Sequence, residues 1–277
     1  MKFSPPAWLR PESCPGLWTE LNSLPADSVI SVGAHDIVCV STPVRPDFWV
    51  GNYLLFDPAR DLSFYPSLCE EWCLQFGAMA GVGRVCFTTE FSLAQASPWQ
   101  HFVPEGGLIE VADVLALQVF CPAPAPAEDF PYRIAPVESA ADFEKVIEAA
   151  EDMDFADGGS APWDFTVWRM REYWRSVCEQ PDAVWWAAWD GAEVVAYAGL
   201  FRDNGMVSVQ EVGTCPAYRR QGISLRLCSA MLRAALAVPG VRQCIQVAEP
   251  GGAGERVYQR LGFAPVNAML SLVLPLA

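Results

Sequence analysis

The chain is short of positive charge and of histidine. Its 277 residues hold 18 Lys and Arg against 33 Asp and Glu, a formal charge of −15 with no basic stripe, so nucleic acid is not an expected partner. Only two histidines occur, His35 and His101. Neither has neighbouring ligands at metal-binding spacing, so no metal is expected and a His-dependent triad finds no support. No run of about 18 apolar residues is present to span a membrane. Met1 to Arg10 contains Pro5-Pro6 in place of an apolar signal core. There is no G-x-G-x-x-G after a strand and no G-x-x-x-x-G-K-[ST], which excludes the dinucleotide fingerprint and the P-loop. The ten cysteines form no Cys-x-x-Cys pair. Cys39, Cys73, Cys86, Cys228 and Cys244 fall in expected strands or helices, as buried reduced thiols do, and a cytoplasmic setting follows.

What is present is core-forming material, since the chain is 52% hydrophobic with 11 Trp. The length admits two domains or one enlarged one. Cys121 to Asp129 reads Cys-Pro-Ala-Pro-Ala-Pro-Ala-Glu-Asp, stiff and extended. A boundary is placed there, giving domains at 1–125 and 126–277.

The most informative stretch is 211–224, Glu-Val-Gly-Thr-Cys-Pro-Ala-Tyr-Arg-Arg-Gln-Gly-Ile-Ser, a strand end running through a basic loop into an Ala/Leu-rich helix. A helix N-terminus exposes unpaired N–H groups and the positive end of the helix dipole, where a phosphate is held. Gly222 lets a ligand approach the backbone, and Arg219 and Arg220 supply two cations. Taken alone, it is also an ordinary strand-to-helix loop containing glycine. Downstream, Leu225, Cys228, Met231, Leu232 and Leu236 form one helical stripe, and Pro239-Gly240 stops the helix. Residues 241–248 read as a buried strand, completing a crossover unit. Tyr258-Gln259-Arg260-Leu261-Gly262-Phe263 follows.

Arg219-x-x-Gly222-x-Ser224 resembles the Q/R-x-x-G-x-G/A signature of the GCN5-related N-acetyltransferases (GNAT). Tyr258 to Phe263 resembles that family's Tyr-x-x-x-Gly-Phe segment. Ser224 departs from the family's Gly or Ala, and its hydroxyl is a further donor to phosphate. The resemblance implies an α/β fold with a mixed α+β sheet and acetyl-CoA as acetyl donor. It places the pyrophosphate on Arg219, Arg220, Gln221, Gly222, Ile223, Ser224 and Leu225, and the pantetheine and thioester carbonyl on Val212, Gly213 and Thr214. Tyr258 becomes the acid toward the departing thiolate, as the phenol's ordinary pKa of about 10 allows.

The base is less defined. Glu211 is the only carboxylate on the strand 206–214. Strict alternation puts it on the face opposite Gln210 unless a bulge intervenes. Glu249 is the next candidate. Gln210 and Gln246 stand where some relatives carry an acid, and Gly251 stands where many carry a cofactor-binding asparagine. Cys215, beside the loop, has no activating neighbour and reads as a bystander.

Helices are expected at 138–152 and 162–180, with a Gly-Gly-Ser loop at 158–160, and strands at 132–137, 183–189 and 193–202. In the family these helices border the acceptor site. Asp152, Asp154, Asp157 and Asp164, with Phe165, Trp168 and Trp174, either receive a cationic amine there or form a solvated face over an aromatic core. Shifting the first half by 158 positions puts Pro58 on Pro216, Ala59 on Ala217 and Cys86 on Cys244, repeating strand, loop, helix and strand. That shift also puts Asp61-Leu62 on Arg219-Arg220 and Phe64 on Gly222, with Trp99 or Gln100 near Tyr258. Residues 1–125 are accordingly a degenerate GNAT-like domain without cofactor, walling part of the acceptor cleft, or an unrelated α+β domain.

The expected function is acetyl-CoA-dependent transfer to a primary amine in a ternary complex, by two tandem GNAT-like acyl-CoA N-acyltransferase domains. A small-molecule or peptide amine is the expected acceptor, and a homodimer is compatible with the chain. Two alternatives stand beside it: a non-catalytic acyl-CoA sensor or scaffold, and an interaction protein with both halves worn.

Overall fold

The computed structural model describes residues 3–95, 97–123, 130–156, 163–179 and 183–275. The Pro-Ala stretch at 124–129 and the Gly-Gly-Ser loop lie outside them. Contacts divide the chain into two compact units. One comprises Met1–Leu115, Val247–Pro250 and Pro265–Ala277, the other Ala116–Gln246 and Gly251–Ala264.

In the first unit α1 (Pro15–Asn22) precedes the strands β1 (Val29–Val32), β2 (Val38–Ser41) and β3 (Tyr53–Leu55). Then come α2 (Tyr65–Phe76), β4 (Arg84–Ser92) and β5 (Leu108–Leu117). β1, β2 and β3 pair antiparallel in turn, while β3 and β4 are parallel, with α2 as the crossover. β4 pairs antiparallel with the last strand of the chain over Arg84–Ser92 and Asn267–Pro275. Strand parity fixes the two cores. Leu68, Trp72 and Phe76 of α2 pack on Leu54, Phe87, Leu270 and Leu272, whereas Leu17 and Leu21 of α1 pack on Val38, Leu55, Cys86 and Val273.

The second unit runs β6 (Arg133–Pro136), α3 (Ala140–Ala156), α4 (Trp163–Glu179), β7 (Ala183–Asp190), β8 (Glu193–Asp203) and β9 (Met206–Thr214). It continues through α5 (Ile223–Leu236), β10 (Gln243–Ala248) and α6 (Ala253–Arg260), after which the chain enters β11 (Phe263–Pro275), whose residues from Pro265 on belong to the first unit and pair there with β4. Its strand order is β10-β9-β8-β7-β6. Asn204 and Gly205 both adopt positive φ, 50° and 80°, the conformation of a tight two-residue hairpin, and Gly191 closes the preceding hairpin at 58°. The expected elements at 132–137, 138–152, 162–180, 183–189, 193–202 and 206–214 are all found within a few residues of their ends.

One face of these strands carries α3 and α4 over Trp185, Tyr197 and Phe201. The other carries α5, because Thr214 is bonded to Ser224 while its neighbour Gly213 packs against Met153 of α3. The α5 stripe, including Leu225, Leu227, Cys228, Met231 and Leu232, is buried.

All ten cysteines are free. Cys73, expected among the buried thiols, is exposed, because α2 turns Leu68, Trp72 and Phe76 inward and Cys73 outward. Among the described residues no helix is long and apolar enough to cross a membrane. Among them, too, no three His, Cys, Asp or Glu side chains are grouped to hold a metal ion.

Candidate functional site

The loop between β9 and α5 departs from ordinary backbone geometry twice within three residues. Arg220 has φ 67° and Gly222 has φ 76°, and Arg219 before them is extended at φ −65°, ψ 157°. A non-glycine residue in the left-handed region costs on the order of 1–2 kcal/mol. That cost points to a loop shaped for something it binds. Gly222 is the N-cap of α5 with no side-chain cap, so the first N–H groups of the helix receive no side-chain acceptor there. A Cβ added at Gly222 would meet nothing within 4 Å. Its value is therefore conformation and open approach, not packing.

Several bonds hold the loop's frame. Arg219 folds back so that Nε donates to the Thr214 carbonyl at 3.0 Å. Thr214 Oγ1 and Ser224 Oγ share a hydrogen bond of 2.6 Å, tying the strand end to the helix start. The Ser224 hydroxyl is thus committed to the frame as well as available to a ligand. Gln221 accepts from the Tyr132 hydroxyl at 2.6 Å. Ile223 and Leu225 are buried, so only their backbone N–H groups face the role expected of them. Cys215 caps the turn, and burial, followed by the charge of Asp152, raises its thiol above the ordinary value, keeping it unreactive.

The preceding strand is opened and bent. β9 and β10 pair in parallel only at Met206, Val207 and Ser208 against Gln243, Cys244 and Ile245, and β9 runs on to Thr214 beyond the last pair. Across β8, Gly199 stands opposite Gln210 and Tyr197 opposite Gly213. Glu211 and Val212 therefore share the single position of Ala198, a β-bulge, and Glu211 takes φ 54°. The bulge overturns simple alternation and brings Glu211 within 3.1 Å of Arg169 on α4. Arg169 also lies 5.8 Å over the Phe165 ring. Sequence reasoning missed Arg169, because nothing in the spacing of α4 marks one arginine as the partner of a bulged glutamate.

Tyr258 lies on α6, 5% exposed, with its ring 5.7 Å from Phe263. Burial, then the nearby Cys228, pushes its phenol well above 10, so it holds its proton throughout the neutral range. The same burial raises Cys228 to about 12. Of the expected aromatics of α4, Trp174 packs on the core and stacks on Phe143 at 4.6 Å, while Phe165 and Trp168 are partly buried, 5.9 Å apart. Asp152 reaches Cys215 electrostatically, whereas the side chains of Asp154, Asp157 and Asp164 lie outside the described residues. Between α3 and α4 a groove of about 570 Å³ is lined by Glu144, Glu148, Glu151, Glu172, Trp168 and Arg171.

The matching loop of the first unit has the opposite chemistry. Shifted by 158 positions, Tyr65 at the start of α2 falls on Ile223 at the start of α5. Yet Phe64, in place of Gly222, has right-handed φ −77°. Asp61 accepts from the Ser63 N–H at 2.9 Å and from the Ser63 hydroxyl, which together hold its carboxyl below the usual range. Trp99, fully buried near the place of Tyr258, donates Nε1–H to the Arg60 carbonyl at 2.6 Å.

Residues 148–263 match the model of the acetyltransferase (GNAT) family. No curated protein matches the chain in sequence. Among solved structures it is similar to a GCN5-related N-acetyltransferase from Kribbella flavida at 21% identity, TM-score 0.61, over 94% of this chain and 93% of that one. It is also similar to a GCN5-related N-acetyltransferase from Sphaerobacter thermophilus, at 18% identity and TM-score 0.58 over 86% and 80% of the two chains. A tandem GNAT protein from the clavulanic acid biosynthesis pathway matches at 13% identity and TM-score 0.57 over 94% and 86%. At these identities the shared property is the fold.

Proposed function

We propose that this chain, whose residues 148–263 form a domain of the acetyltransferase (GNAT) family, is an acetyl-CoA-dependent N-acetyltransferase acting on a primary amine. The observation that carries this is the β9–α5 loop, where two left-handed residues, an uncapped helix start and two arginines form a concave run of N–H donors. A pyrophosphate fits that donor set and its charge. Acetyl-CoA supplies an activated thioester whose carbonyl carbon an amine attacks.

The chain's own residues would do the rest. The N–H groups of Gln221 to Leu225 hold the pyrophosphate, and Arg219 and Arg220 offset its charge. Val212, Gly213 and Thr214, beyond the last β9–β10 pair, present backbone donors to the pantetheine and carbonyl. Tyr258 Oη holds a proton for the departing sulfur. A phenol well above 10 is an uphill donor to an ordinary thiolate near 8.5. Glu211 takes the amine proton directly or through water. Its carboxylate is paired with Arg169 at 3.1 Å, so a cationic acceptor has to compete with Arg169 for it. In the first unit, Asp61 and Leu62 fall on the places of the two arginines and Gln100, or Trp99 with a one-residue slip, on that of the tyrosine, which supports a worn copy without cofactor.

The Arg169 pair also favours a second reading, a non-catalytic acyl-CoA sensor in which Glu211 is a structural anion. Thiol release from acetyl-CoA with a panel of primary amines separates the two. Acceptor-dependent release is expected. Tight CoA binding without it supports the sensor, and no calorimetric CoA binding at millimolar concentration removes the loop as a phosphate site.

A further inference from the structure

Gln246 lies on β10 immediately after Ile245, the last residue of that strand paired with β9. Its face follows from register. Phe201 belongs to the core under α3 and α4, and Ser208 stands opposite it. Val207 and its partner Cys244 therefore lie on the other face, the one α5 covers, and Gln246 two residues on lies there too. The side chain is 1% exposed, and neither Oε1 nor Nε2 has a hydrogen-bond partner.

A buried primary amide that satisfies neither its acceptor nor its donors is a standing penalty in the free protein. Leucine fills a similar volume without it. Buried polar side chains are normally partnered, so an orphan at the point where two strands part marks a place where a partner arrives. A neutral amide offers one acceptor and two donors, which suits another amide and not an anion or a cation.

We propose that Gln246 is a binding group for the pantetheine arm of CoA, with Oε1 accepting from an amide N–H of the arm and Nε2 donating to an amide carbonyl. Each of the arm's two amides presents that pair of groups. This assignment rests on the proposed CoA site of the same unit, and it gives β10 a side-chain role in holding the arm beside the backbone role of β9.

The test compares the full-length protein with Gln246→Leu and Gln246→Met, measuring thermal melting without ligand and calorimetric binding of CoA and of 3′-phospho-ADP, which lacks the arm. The variants are expected to melt about 2–4 °C higher, because the orphan groups are gone. They are expected to bind CoA about tenfold or more weakly and 3′-phospho-ADP as the parent does. A parent that binds CoA and variants that bind it equally well overturn the assignment of Gln246 alone. Variants that melt lower and lose both ligands overturn it as well, since Gln246 is then a structural core residue. A parent that binds neither ligand removes the CoA site and this proposal with it. If Gln246→Leu fails to fold, Gln246→Met decides on the same readouts.

Discussion

Glu90 sets two opposing effects against each other where their balance can be measured. It is fully buried on β4, and its carboxylate meets three donors: the Gly16 N–H at 3.2 Å, the Leu17 N–H at 2.8 Å and the Asn267 Nδ2 at 2.7 Å. Those bonds favour the charged form, as does the start of α1. Burial opposes them and wins, raising the group from 4.5 to about 7. The unfolded chain therefore ionises first as pH rises. Below about 4.5 both states are protonated and Glu90 costs nothing. Between 4.5 and 7 the folded state keeps a proton that the unfolded state has lost, so stability falls with rising pH, and above 7 the full penalty stands. A shift of this size corresponds to about 3 kcal/mol. Glu90→Gln removes the titration and leaves the other carboxylates in place. The assay is urea unfolding of both proteins from pH 4 to 8 by circular dichroism. The stability of the parent relative to Glu90→Gln should drop by about 3 kcal/mol across that range. A difference that stays constant, or one that rises because the three donors hold the carboxylate low, would falsify the claim that burial dominates.

At the candidate site, Gly222→Val should weaken CoA binding by an order of magnitude or more and lower the melting temperature by a few degrees. The added Cβ meets open space in the free protein but imposes the backbone cost of φ 76° and blocks a ligand; equal affinity by calorimetry contradicts the loop geometry. Tyr258→Phe should lower turnover and spare CoA affinity, and unchanged turnover removes Tyr258 as the proton donor. Gly213→Val should destabilise by about 1–3 kcal/mol, since its Cβ would stand 2.3 Å from Met153 Cε and 2.8 Å from Tyr197 Cζ; an unchanged unfolding midpoint shows that α3 yields there. Arg169→Met should lower KM for a cationic amine by freeing Glu211, and an unchanged KM means that the acceptor does not compete for that carboxylate.

The loop, the crossover helix and the hairpins of the second unit were legible because each rests on local chemistry. Gly222 and Gly205 announce positive φ, Pro239-Gly240 announces a helix end, and the stripe from Leu225 to Leu236 announces a buried face. The pairing of the final strand with β4 was not legible, because an antiparallel partner some 180 residues away leaves no local mark on Asn267 to Pro275. The bulge at Glu211 was equally hidden. Alternation is the only local rule available on a strand, and the extra residue between Gln210 and Gly213 shows only against the register of β8. Gln246 could be named from the sequence as a departure from an acid, but its orphaned amide is a property of what surrounds it.

The two loops show how little separates a scaffold from a site. Under the 158-residue shift both helices begin at the same position, and both sit between parallel strands. What differs is the hand of two residues, Arg220 at 67° and Gly222 at 76° against Leu62 and Phe64, neither of which has positive φ, and the charge beside them, Asp61 against Arg219. A right-handed cap turns the backbone away from the concave form that gathers N–H groups. Asp61 then occupies the Ser63 donor and adds a charge that repels phosphate. Substitutions confined to 61–64 would thus leave a ligand still facing the wall of Trp99, locked to the Arg60 carbonyl. A phosphate site in the first unit would need both the loop and the indole changed. Loss of the proposed site in the second unit would take Gly222 alone.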